Sequence, residues 1–167
     1  MVGIDSNVML HQFNIDPNHR PICQKRRPMT AEHYATLKEK VDKLLSNKFI
    51  IETCYLTWVA NPVLVKKKNW KWKTCVDFTD LNKAYPKDNF PLPRIDQLVD
   101  ATASHQLLNF MDAYSVYNQI PMNPKDEEHT SFVTNRGLYC YKVMPFRLKN
   151  ARATDERLVN MMFRDLS

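Results

Sequence analysis

Two places in this sequence carry side chains that could do chemistry. The first is LLNFMDAYSVYNQI (Leu107 to Ile120), largely apolar and with a single charged residue, Asp112. An aspartate between a strand-like run and a helical spacing of aromatics has two uses. It can cap the turn that follows, or it can ligate a metal, which needs at least a second carboxylate close by. Asp77, Asp80, Asp96 and Asp100 qualify by type, but spacing selects none of them. The second place is KKKNWKWK (Lys66 to Lys73), with five lysines, two tryptophans and no acid. Ammonium groups interleaved with indoles suit single-stranded nucleic acid, the lysines meeting phosphates and the rings stacking on bases. The same residues would also blunt a hairpin edge against aggregation.

These side chains need elements to hold them. Residues 30–48 read as a helix, with Thr30 as N-cap, Glu32 in the first turn, and Tyr34, Leu37, Val41, Leu44 and Leu45 on one face. Lys38, Lys40 and Lys43 fall mostly off that face, and packing alone accounts for the segment. Residues 61–78 read as a β-hairpin with the lysine-rich tip at its turn. Pro86, Pro91 and Pro93 stiffen a crossing segment, and Pro93 opens a short helix through Ile95, Leu98 and Val99. Residues 106–111 read as a buried strand delivering Asp112. A second hairpin turns at Asn135-Arg136-Gly137, and a last helix spans about Asn150 to Arg164. Residues 1–29 lack periodicity and read as an extended basic arm around QKRRP, with a surface linker as the plainer reading. Helix, hairpin, strand, hairpin, helix gives an α+β fold.

Composition narrows the class. With 44% hydrophobic and 25% charged residues the chain can build a core. Its net charge of +6 is lopsided: residues 1–90 hold 15 Lys and Arg against 9 Asp and Glu, whereas residues 91–167 hold nine of each. A phosphate-bearing partner at the first half fits this, as does a solvated basic surface. The four cysteines are far apart, matching neither a zinc site nor a disulfide framework and suiting a reducing interior. No signal peptide is expected, and no stretch approaches the roughly 18 apolar residues of a membrane span.

Taken in order, the blocks resemble the reverse transcriptase of gypsy-class LTR retrotransposons, from about residue 10 to the end. QKRRPMTAEHYATLKEKVDKLLSNKFI is similar to that family's entry, and WVANPVLVKKKNWKWKTCVDFTDLNKAYPKDNFPLPRID to its fingers. FMDAYSVYNQI resembles the first polymerase motif, and HTSFVTNRGLYCYKVMPFRLKNARATDERLVNMMF the next palm segment. The resemblance implies the fingers and partial palm of a right-hand polymerase: an arm over 1–29, a fingers-like region over 30–105 and a partial palm over 106–167. It implies that Asp112 is the first catalytic aspartate and a ligand of Mg²⁺, because phosphoryl transfer uses two metals to clamp the attacking and leaving oxygens. Ala113, Tyr114, Ser115 and Val116 would lie along the triphosphate of the incoming dNTP, with Tyr117 as the steric gate under its sugar. Lys67 matches the lysine on the γ-phosphate, Lys73 stands where the family usually has Arg, and Phe146 packs near the nucleotide. Lys66, Lys68, Trp70 and Lys71 complete the nucleic-acid-binding tip. The implied partners are an RNA template, a DNA primer and the remainder of a pol polyprotein, with no membrane.

The sequence also departs from the family. Asn69-Trp70 replaces an Asp-Gly fingertip, and since Trp resists φ > 0 a different turn type is expected. PFRL replaces PFGL, placing Arg147 at a glycine, and NARATD puts Arg152 and Asp155 where small or apolar residues stand. A lone carboxylate at Asp155 would be costly to bury. No Asp-Asp pair occurs anywhere in the chain, so the two-metal site is not completed within it. The expectation is a reverse transcriptase fragment inactive alone, against a non-catalytic nucleic-acid-binding remnant or a non-functional relic.

Overall fold

The computed structural model describes residues 3–103, 105–108 and 116–164. Thr30 starts the first helix: its hydroxyl oxygen accepts a hydrogen bond from the His33 N–H at 3.3 Å, satisfying one of the donors a helix start leaves unpaired. Helix α1 (Ala31–Ser46) buries Leu37, Val41 and Leu44, the spine of the predicted apolar stripe. The chain then enters β1 (Ile50–Thr53), a strand that the sequence reading did not anticipate.

Strands β2 (Pro62–Lys66) and β3 (Trp72–Val76) form the expected antiparallel hairpin, with Pro62 opposite Val76 and Lys66 opposite Trp72. A second, three-stranded sheet has the order β1-β5-β4, from β4 (Phe132–Val133) and β5 (Leu138–Tyr141). Gly137 turns β4 into β5 with φ 154°, and a Cβ there would meet the Glu52 carboxylate at 3.2 Å. Short α2 (Thr79–Lys83), α3 (Ile95–Ala103) and α4 (Ala151–Met162) complete the α+β order. Phe132, Ile120, Met122 and Met144 lie at the centre of the core, together with α1 and with Leu158 of α4.

Two expectations are corrected. The arm is no loose linker. The Ile4 N–H donates to the Gln119 carbonyl at 2.9 Å, and the His11 N–H to the Pro121 carbonyl at 2.9 Å. Further along, the Gln24 N–H donates to the Val59 carbonyl at 2.8 Å, and Asn61 accepts from the Arg27 N–H at 2.9 Å. Pairing with loops distant in sequence is invisible to a local reading. Second, of the predicted buried strand 106–111, residues 106–108 are described, and they form no strand, with Leu107 92% exposed. Helix α3 forms through Ile95, Leu98 and Val99 as Pro93 predicted, and these three side chains face solvent.

Candidate nucleotide-binding cleft

The hairpin leans over α1, and between them lies a cleft of about 380 Å³. Its fixture is Trp72: the indole N–H donates to the Glu32 carboxylate at 3.0 Å, and His33 meets the ring edge-on with centroids 4.8 Å apart. Both partners sit in the first turn of α1, so the turn end of the hairpin is latched to the helix start. Lys73, next to Trp72 in β3, lines the cleft, and Lys67, just beyond β2, borders the same space.

Phe146 closes the far wall. Its ring lies 5.8 Å from the Lys73 ammonium and 4.9 Å from the Tyr117 ring, which it meets edge-on at 65°. Tyr117 and Val116 belong to the 3₁₀ helix Val116–Gln119. Burial, and then the Asp155 carboxylate, push the Tyr117 hydroxyl pKa up. Four predicted residues, Lys67, Lys73, Tyr117 and Phe146, are therefore neighbours although 79 positions separate the first from the last. Asp112, Ala113, Tyr114 and Ser115 lie outside the described residues.

The loop that carries Phe146 is bolted from behind. The Arg147 carbonyl accepts from the Asn82 amide at 2.8 Å, and the Lys149 N–H donates to the Asn82 oxygen at 2.9 Å and to the Tyr85 hydroxyl at 3.1 Å. Arg147 holds φ 78°, the left-handed backbone that its family's glycine adopts without strain. The fingertip repeats this pattern and corrects the expected change of turn. Trp70 sits at φ 62°, with its N–H donating to the Lys67 carbonyl at 3.0 Å and the Lys71 carbonyl accepting from the Lys67 N–H at 2.9 Å. The indole is 77% exposed and stacks over the Lys66 ammonium at 4.3 Å, with Trp72 5.5 Å from the same group. Lys66 is thus held on two indole faces, while Lys68 and Lys71 point to solvent at the tip.

The sequence reading missed Trp72 as a wall and Lys40 and Lys43 as lining residues. Their signal was there: Thr36, Lys40 and Lys43 follow at spacings of four and three, a stripe flanking Leu37, Val41 and Leu44. Among the described residues no group of three or more His, Cys, Asp or Glu side chains could hold a metal. Asp155 carries the buried carboxylate oxygen that its position threatened: among the described residues Oδ1 has no hydrogen-bond partner, and burial followed by Glu156 raises its pKa. Among the described residues no helix is long and apolar enough to cross a membrane.

Residues 65–167 match the family described as Reverse transcriptase (RNA-dependent DNA polymerase). The Retrovirus-related Pol polyprotein from transposon 297 of Drosophila melanogaster is 28% identical over 165 residues, 96% of this chain and 16% of that protein. A Transposon Tf2-3 polyprotein of Schizosaccharomyces pombe is 28% identical over 95% of this chain and 11% of its own length. An RNA-directed DNA polymerase homolog of Oenothera berteroana reaches 38% over 53% of this chain. The fold is that of a prototype foamy virus protease-reverse transcriptase, with a TM-score of 0.78 at 17% identity over all of this chain and 22% of that one. A foamy viral protease-reverse transcriptase in complex with double-stranded DNA follows, with a TM-score of 0.71 at 15% identity over 93% of this chain and 27% of that one. The chain spans about a sixth of the length of the transposon 297 polyprotein.

Proposed function

Because this chain belongs to the reverse transcriptase family and its relatives are retrotransposon Pol polyproteins, we propose that its cleft binds the deoxynucleoside triphosphate of an RNA-directed DNA polymerase. Lys67 takes the terminal phosphate, Lys73 the phosphates nearer the sugar, Tyr117 lies under the sugar and Phe146 packs beside it. The observation that carries this is that Lys67, Lys73 and Phe146 line one cleft, with Tyr117 packed edge-on against Phe146 at its margin. Lys73 supplies charge without the planar fork of an arginine, so its phosphate contact is single-pronged.

In this reading Asp112 is the metal ligand and Ala113 to Val116 follow the triphosphate. The reaction of the family uses Mg²⁺ to neutralise the triphosphate and activate the primer hydroxyl. Asp112 lies outside the described residues, so the steps assigned here are those of the other side chains: binding, orientation and sugar selection. The lysines of the tip, with Trp70 exposed above them, face an RNA template and a DNA primer. The arm (1–29), fingers-like region (30–105) and partial palm (106–167) divide the chain, the last two sharing a sheet because β1 pairs with β5. Four free cysteines suit an intracellular setting. Catalysis belongs to a longer Pol polyprotein in which further carboxylates join Asp112.

The test is binding of dTTP with Mg²⁺ to this chain, followed by primer extension on an RNA template beside an Asp112→Asn control. Binding weakened tenfold or more by Lys67→Met supports the cleft assignment. Binding indifferent to Lys67→Met, Lys73→Met and Phe146→Ala sinks it. Asp112-dependent extension by this chain alone would overturn the assignment of catalysis to a longer polypeptide.

A further inference from the structure

Helix α1 contributes more to the cleft than a packing face. Lys40 and Lys43, one turn apart, line it together with Lys67 and Lys73, and Glu39 is the sole acid among the described lining residues. None of the four ammonium groups has an ion-pair partner among the described residues. Two lysines come from the hairpin and two from the helix facing it, so the cluster bridges two elements. Like charges three apart on a helix repel. Partial burial, and then the Lys43 charge, hold the Lys40 amine below the ordinary lysine range, with Cys75 acting the other way. A cleft of about 380 Å³ with this surplus of positive charge is built to be neutralised by a compact polyanion.

We infer that Lys40 and Lys43 form a second anion subsite in this cleft, facing Lys67 and Lys73, which takes condensed phosphate. The ligand is either the tail of the bound nucleotide or free pyrophosphate, the product that leaves when a nucleotide is joined to a primer. The subsite deepens the nucleotide-binding reading and rests on it. A condensed phosphate carries more charge and more anionic oxygens than orthophosphate, so it is the better match for lysines contributed from both sides of one cleft. Neither helix lysine belongs to the apolar stripe of α1, so both are free to be replaced without loss of core.

The test compares the wild-type chain with Lys40→Met/Lys43→Met and with Lys67→Met/Lys73→Met. Methionine keeps the aliphatic stem and removes the charge. The probes are inorganic pyrophosphate, tripolyphosphate, dTTP and orthophosphate at fixed ionic strength, followed by calorimetry and by the shift in melting temperature. Lys40→Met/Lys43→Met is expected to weaken pyrophosphate and tripolyphosphate at least tenfold and to melt higher without ligand, its internal repulsion gone. An equal loss for dTTP assigns the subsite to the nucleotide tail, whereas dTTP binding within twofold of wild type assigns it to free pyrophosphate. Condensed phosphate bound within twofold of wild type by Lys40→Met/Lys43→Met, but lost in Lys67→Met/Lys73→Met, overturns the subsite and leaves the nucleotide reading standing. Orthophosphate bound as tightly as pyrophosphate also overturns it, reducing the cluster to diffuse attraction. Failure of the wild-type chain to bind any of the probes removes both readings. If the double variant loses its cooperative melt, Lys40→Gln alone replaces it, with an expected loss of at least threefold and the same overturning result.

Discussion

The edge of the Tyr117 ring meets Phe146 with centroids 4.9 Å apart, and Phe146 in turn lies 5.8 Å from the Lys73 ammonium. The ring assigned to the sugar is therefore packed against a ring that also faces Lys73, the lysine assigned to phosphate. Truncating Tyr117 should open space under the sugar while leaving the lysines in place. For Tyr117→Ala the ratio of GTP to dGTP dissociation constants is expected to fall by about tenfold, the scale of one small steric contact in a pocket. Competition binding on the same chain checks it. An unchanged ratio with weaker binding of both nucleotides would make Tyr117 a packing residue only.

Arg147 at φ 78° is a second measurable feature. The left-handed backbone costs an L-residue roughly 1–2 kcal/mol, and glycine pays back part of that gain as unfolded-chain entropy. Arg147→Gly is expected to stabilise the chain by about 0.5–1 kcal/mol, seen as a higher midpoint in urea. Arg147→Ala keeps a Cβ and should give no such gain. Equal effects from both substitutions would show that the arginine side chain, not its backbone, sets the cost.

How much of this was legible beforehand depended on the range of the interaction. Helix α1, the fingertip hairpin and α4 were readable because the Leu37, Val41 and Leu44 stripe, the two short runs flanking the lysine-rich tip and Leu158 are local signals. Strand β1 was not, since its four residues are held by β5, nearly 90 positions on, with Ile50 opposite Tyr141. The arm was missed for the same reason, its partners being backbone groups of Gln119, Pro121 and Val59. The expectation at Trp70 failed differently. Propensity opposes φ > 0 for tryptophan, yet the register of Lys66 opposite Trp72 and the Lys66 ammonium over the indole override it. The cleft lysines at 67 and 73 were read from motif order, but Lys40 and Lys43 required the helix to be placed against the hairpin.

Asp155 tests the cost of an unpaired buried acceptor. Oδ1 has no partner, and burial raises the carboxyl pKa. A raised folded-state pKa means that the folded chain holds this proton more tightly than the unfolded one. The associated stability is present at low pH and is lost as pH rises through the folded value. Asp155→Leu is therefore expected to be more stable than wild type at pH 7 by about 1 kcal/mol, the low end for an unsatisfied buried group. That advantage should shrink as pH falls into the carboxylate range. Urea titrations at pH 7 and pH 4 measure it, and an advantage independent of pH would assign the effect to packing instead.

His11 gives the opposite sign and joins the arm to α4. The ring is 1% exposed, its Nδ1 lies 2.8 Å from the Thr154 hydroxyl, and its Nε2 has no partner. Burial lowers its pKa to about 4 from an ordinary 6.5, so the folded chain keeps the ring neutral while the unfolded chain protonates it. Between these values the unfolded state binds more protons, and stability must rise with pH. The full span corresponds to about 3 kcal/mol at 1.36 kcal/mol per pH unit. The change is present above pH 6.5 and lost progressively towards pH 4. Nearby charges do not cancel it: Asp126 accepts from the Phe13 N–H at 2.9 Å, and the Arg157 guanidinium is paired with Asp88. His11→Phe should remove this rise with pH, leaving the Asp155 contribution of opposite sign, which acts from the ordinary carboxylate value upward. Unfolding free energies of both chains from pH 4 to pH 7.5 decide the matter. Parallel curves would mean that the unpaired Nε2 does not govern how firmly the arm is held.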